Sequence, residues 1–227
     1  SPRVRFKSKE ELDKFCNDAL GKLKASEEGK KFLAQIGGRE ELEKLLRAKG
    51  DILTRAAGLA VQAGLDSQAT GRLIHRIGEL RVNITRSDEV LKGTRLTEQR
   101  IDYIKDGKRR YVEIDEVIIK GKKHYIRDYK PINIREFERT EKGKIWAQWM
   151  EEHVGKDFRE RLRSGENPFS FRVPGIREAK KDLVEFLKLK TSKYKSQLEK
   201  YSDLYAQAYG VDKTLVKANI QAYFVYR

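Results

Sequence analysis

The chain has 227 residues, with 50 Lys and Arg against 35 Asp and Glu, a formal net charge of +15. Its apolar residues are clustered and periodic, which excludes wholesale disorder. Its single cysteine, Cys16, excludes an internal disulfide and a thiolate metal cluster, and no run of about twenty apolar residues offers a membrane span.

The first third reads as helices. Ser8 followed by Glu11 is a capping-box start, after which Leu12, Phe15, Cys16, Ala19, Leu20 and Leu23 share one face with helical period. Cys16 is therefore expected in a core. "EEGKKFLAQIGG" and "REELEKLLRAKG" give two further helices closed by glycine. "DILTRAAGLAVQAG" and "SQATGRLIHRIGELRVNI" give another pair. In the second of these Leu73, Ile74, Ile77 and Leu80 form the apolar stripe. Arg72, His75, Arg76 and Glu79 lie on or beside its polar side.

The period then changes to two. "QRIDYIKDGKRRYVEIDEVIIKGKKHYIRDYKPINI" carries two glycine-bearing turns between alternating runs, which predicts a three-stranded antiparallel meander ended by Pro131. Helices return in "EKGKIWAQWMEEHVGKDFRERLRSG" and in a long segment from Ile176, and "NIQAYFVYR" reads as a final strand. Trp146, Trp149, Tyr194, Tyr201 and Tyr205 fall at packing positions. The fold class expected is α/β (α+β): a small mixed sheet with an antiparallel meander flanked by helices, plus an N-terminal helical region. The expected division is a helical region over 1–66, a core over 67–165 and a C-terminal helical extension over 166–227 that packs on that core. The chain opens with "SPRVRF" and holds one methionine, Met150, so it is expected to be a piece of a longer polypeptide.

The second and third strands carry acids where a half-buried strand keeps a clean face. Strand side chains alternate, so Tyr111, Glu113, Asp115 and Val117 are expected on one face and Val112, Ile114, Glu116 and Ile118 on the other. A loop of two or four residues in "KGKK" sets Asp115 opposite Asp128 and Glu113 opposite Lys130. Opposed side chains have Cβ atoms about 4.5–5.5 Å apart, and two carboxylates at that distance repel unless a cation lies between them. Lys130 helps one of them; a divalent ion satisfies both. Hard oxygen donors favour Mg²⁺ or Mn²⁺ over zinc. If the register shifts by two, Glu113 replaces Asp115 as the ligand.

Asp115 followed thirteen residues later by Asp128-Tyr129-Lys130 across a hairpin resembles the PD-(D/E)xK, or restriction-endonuclease-like, nuclease superfamily over roughly residues 68–155. The resemblance implies metal ligation by Asp115 and Asp128, with Glu79 on the preceding helix as a further ligand. It implies catalysis by Asp115, Asp128, Lys130 and Glu79, with Gln148 on the following helix as a weaker candidate. Two departures stand: Ile114 occupies the position before Asp115 where the family carries proline, and D-x-K is rarer there than E-x-K.

The charge asks for a polyanionic partner, and nucleic acid is the expected one. Combined with the resemblance, this implies a metal-dependent nuclease acting on DNA or tRNA. It further resembles toxin domains that bacteria append to secreted or contact-delivered proteins. Such a domain acts in the cytoplasm of a target bacterial cell and is covered by an acidic immunity protein, with no membrane partner. The competing reading is a non-enzymatic basic nucleic-acid-binding protein whose hairpin acids pair with neighbouring lysines.

Overall fold

The structure, a computed structural model, describes residues 3–82 and 93–227. The chain is mixed α/β, with helices before and after a sheet. It divides into two compact units, one of Ser1–Ile84, Pro131–Leu187 and Tyr223–Arg227, the other of Thr85–Lys130 and Lys188–Ala222.

The first unit is mainly helical. α1 (Lys9–Lys24), α2 (Glu27–Ile36), α3 (Arg39–Arg47), α4 (Ile52–Gln62) and α5 (Ser67–Val82) open the chain. Ser8, Ser26 and Asp51 each accept a backbone N–H of the first turn and so start α1, α2 and α4. Glu11, expected to complete a capping box, accepts instead from the Lys7 N–H at 3.2 Å. Leu73, Ile74, Ile77 and Leu80 of α5 are buried, as are Cys16 of α1 and Ala56, Ala57 and Ala60 of α4. Small residues on α4 permit close approach. A Cβ on Gly58 would lie 2.2 Å from the Gly165 nitrogen.

The same unit holds α6 (Ile134–Glu138), α7 (Glu141–His153), α8 (Phe158–Arg163) and α9 (Ile176–Ala179). Trp146 packs between Phe137 and Phe158, with ring centroids 5.4 and 5.9 Å away. Trp149, expected in the core, is only half-buried and stacks on His153 at 4.3 Å. It flanks the apolar stripe that Trp146 and Met150 bury. The long helix read from Ile176 is interrupted at Lys180, where α9 gives way to α10 (Lys181–Tyr209).

The second unit is built on a sheet. Among the described residues β1 (Thr94–Lys105), β2 (Lys108–Lys120), β3 (Lys123–Asn133) and β4 (Val216–Val225) form one sheet in that order. The expected meander and final strand are both present, β1 starting earlier than its pattern of alternation. Asp106 and Gly107, both at positive φ (53° and 73°), turn β1 into β2 with the signature of a type I′ hairpin. Gly121 (φ 60°) and Lys122 turn β2 into β3 in the manner of type II′. Ile101, Val112, Ile114, Val117 and Ile126 of the sheet meet Leu198, Tyr205 and Ala206 of α10 in the core.

One expectation about the faces is overturned. Ile114 and Val117, three residues apart, pack in the same core, as do Leu96 and Ile101 of β1. Strict alternation would put each pair on opposite faces. The change of face falls where Glu98 takes a positive φ of 50° and where the β1–β2 pairing skips Glu98 and Asp115. No helix among the described residues is long and apolar enough to cross a membrane.

Candidate active site

The β2–β3 hairpin has the two-residue loop, Gly121–Lys122, and its pairing runs from Lys120↔Lys123 to Glu116↔Arg127. Asp115 and Asp128 are the next positions in that register, just past the last paired residues. The β2–β3 pairing stops there, and neither carboxylate is fully buried, in contrast to Glu116 and Ile126 within the ladder.

The electrostatics of this pair are strained. Burial first, then a hydrogen bond and the charge of the neighbouring Asp128, push the Asp115 carboxyl up to about 8. The Tyr129 backbone N–H, 3.5 Å from Asp115 Oδ2, and the Lys130 charge work in the opposite direction without cancelling the rise. Two carboxyl groups close enough to share a proton therefore sit in a partly desolvated setting.

Lys130 Nζ lies 3.0 Å from Asp128 Oδ2. Burial pulls the ammonium down, but the charge of Asp128 and its hydrogen bond, with help from Asp115 and Tyr201, raise it above its ordinary value. The ammonium also stands 5.7 Å from the centre of the Tyr194 ring. Tyr194 and Tyr201 of α10 thus border the cluster, a placement that sequence reasoning missed. The only signal was their spacing about Leu198: four residues before it and three after put both tyrosines on the seam that faces the sheet.

Behind the cluster stands a buried ion triad that the sequence reading also missed. Glu116, fully buried, receives the Arg95 Nε at 2.9 Å and lies 3.2 Å from the Arg127 Nη1. Glu116 follows Asp115 and Arg127 precedes Asp128, so the triad ties β1, β2 and β3 together one residue from each carboxylate.

Glu113 does not join them. It is exposed between the buried Val112 and Ile114, and its partner across the ladder is Arg100 of β1. This removes it as a substitute for Asp115 and corrects the expected pairing with Lys130. Glu79 lies on α5 in the first unit, 3.7 Å from His75 and 3.8 Å from Arg76. Gln148, at an exposed position of α7, donates to Glu152 at 3.2 Å. The structure thus brings together Asp115, Asp128 and Lys130 within one unit.

Among the described residues no three His, Cys, Asp or Glu side chains gather closely enough to hold an ion, so the donor set here is the carboxylate pair. That set fits Mg²⁺ or Mn²⁺: both donors are hard oxygens, and a divalent cation offsets both the burial and the neighbouring charge that push Asp115 up. Compared with protein-family models, curated proteins and solved structures, the chain finds no match in any of the three.

Proposed function

We propose that this chain is a metal-dependent nuclease, with Asp115 and Asp128 as ligands of Mg²⁺ or Mn²⁺ and Lys130 as the cationic partner of the scissile phosphate. The observation that carries the reading is the cluster itself. Two carboxylates are held together at a cost that a divalent ion removes, and a lysine on the same strand points at one of them. When bound, such an ion supplies Lewis-acid stabilisation of the charge that develops on phosphate.

The chain's own groups do the rest. Asp128 keeps Lys130 charged, so the ammonium enters as a hydrogen-bond donor to a phosphate oxygen and not as the base. The Tyr129 N–H fixes the orientation of Asp115. The Glu116 triad holds both strands so that the two carboxylates are in place before substrate arrives. The net charge of +15 supports a polyanionic substrate.

Within this reading the substrate is DNA or tRNA. The chain is then the toxin domain of a larger bacterial protein, delivered by secretion, acting in the cytoplasm of a target cell and neutralised by an acidic immunity protein. Incubation of the purified chain with plasmid DNA and with total tRNA, in Mg²⁺ or in EDTA, tests it. Cleavage of either substrate that needs the ion supports the reading; cleavage of neither, with retained gel shift, leaves a non-enzymatic binder.

A further inference from the structure

The β1–β2 hairpin continues past the core of its unit. Ile101↔Val112 is the last pair with both partners buried, and the strands remain paired for four more residues to Lys105↔Lys108. Tyr103 still packs against the core, so the free ribbon begins at Ile104↔Arg109 and reaches about 7 Å past Tyr103 at about 3.4 Å per residue, with its turn beyond. Every residue from Ile104 to Tyr111 is exposed. That stretch carries four cations, Lys105, Lys108, Arg109 and Arg110, against the single acid Asp106 of the turn.

Two apolar side chains stand among these cations. Ile104 is 72 % exposed and Tyr111 is 55 % exposed. Arg100 lies 4.0 Å above the Tyr111 ring and is steadied by Asp102 at 3.2 Å, so the ring is held in place although it is in solvent. Fixed apolar groups among solvated cations are the furniture of a contact surface.

We infer that the β1–β2 ribbon is a docking element for duplex DNA and enters its major groove. The B-form major groove is about 12 Å wide and about 8.5 Å deep and admits a two-stranded ribbon, and the exposed tip of this one, from Ile104 to Tyr111 through its two-residue turn, is of a size to enter it. Lys105, Lys108, Arg109 and Arg110 then meet phosphates and guanine edges, and Ile104 meets base-edge methyl groups. The A-form major groove of duplex RNA is too narrow to accept such an element, so the ribbon separates the two substrate classes that the carboxylate cluster treats alike. The inference rests on the nucleic-acid reading above for its partner and on nothing in the cleavage chemistry.

The test is binding of a labelled DNA duplex and of the RNA duplex of the same sequence, followed by anisotropy in EDTA over a range of salt. The variants are Arg109→Gln with Arg110→Gln, and Ile104→Glu. The charge-matched control is Lys193→Gln with Lys195→Gln on exposed positions of α10. Anionic vesicles serve as competitor. The expected result is tighter binding of DNA than of RNA, a loss of roughly tenfold or more in the arginine pair, and a salt slope lower by about 0.9 for each lost phosphate contact. Ile104→Glu weakens DNA binding, the lysine control has a smaller effect, and vesicles do not displace the duplex. The inference is overturned if the arginine pair behaves like the control, if RNA binds as well as DNA, or if vesicles compete. A chain that binds through the ribbon yet cuts nothing keeps this inference and loses the nuclease reading. One that cuts DNA with the ribbon variants unimpaired does the reverse.

Discussion

Lys130 Nζ sits 3.0 Å from Asp128 Oδ2, two residues earlier on the same strand and on the same face. The pair keeps the ammonium charged well past neutrality, with its pKa raised above the ordinary 10.5. Lys130→Met is therefore expected to lower kcat by about 10²–10³, the cost of removing one preorganised charge from a transition state. The pH–rate profile of the unaltered chain should show no lysine limb below 10.5. An alkaline limb in the neutral range that disappears in Lys130→Met would show the lysine acting as a base instead.

The Asp115 carboxyl gives a pH-dependent stability. Its folded pKa of about 8 exceeds the ordinary 3.8. The protonated group is favoured by folding, so its contribution is fully present below 3.8 and is lost as pH rises toward 8, where the folded chain must ionise it beside Asp128. In EDTA, Asp115→Asn should raise Tm at alkaline pH, with the gap closing in acid. Mg²⁺ should raise the Tm of the unaltered chain at alkaline pH and leave the variant's unchanged. A Tm difference that is constant with pH would contradict this.

The Glu116 triad is expected to matter more for stability than any exposed ion pair. Glu116→Gln leaves the Arg127 and Arg95 guanidinium groups, 7 % and 22 % exposed, without their shared carboxylate. Breaking a buried pair from one side costs about 3–5 kcal/mol, measurable as a fall in the denaturant midpoint. A loss under about 1 kcal/mol, the range of surface pairs, would show that water relieves the arginines.

Gly58 tests the packing of the helical unit. In an exposed helix Gly→Ala stabilises by about 1 kcal/mol. Here the new Cβ would strike the Gly165 backbone at 2.2 Å, so Gly58→Ala should lower Tm, with a cost of about 1–3 kcal/mol for overpacking. An increase in Tm would mean that the Gly165 turn yields freely.

Much of this was legible in the sequence, for definite reasons. Ser8, Ser26 and Gly37 mark helix ends because their side chain, or its absence, acts on local backbone groups. Asp106-Gly107 and Gly121-Lys122 fix the two hairpins for the same reason, and the second hairpin sets Asp115 and Asp128 in one register. What was hidden depends on partners distant in the chain. The change of face at Asp115 coincides with the unusual φ of Glu98, a residue on another strand, so alternation along β2 alone does not announce it. Arg95, Glu116 and Arg127 read as solvated charges until three strands bring them together. Tyr194 and Tyr201 read as core residues because helical spacing reports a face and not what that face meets.

The most direct test of the central claim is single-turnover cleavage in Mg²⁺ by the unaltered chain and by Asp128→Asn, with nucleic-acid binding followed in the same samples. Asn preserves the volume of the side chain and removes its charge. The expected result is cleavage that EDTA abolishes and a rate lower by about 10²–10³ in the variant, with affinity within a few fold. Cleavage by Asp128→Asn at the unaltered rate, or activity that persists in EDTA, would contradict the assignment of this hairpin as a metal-dependent catalytic centre.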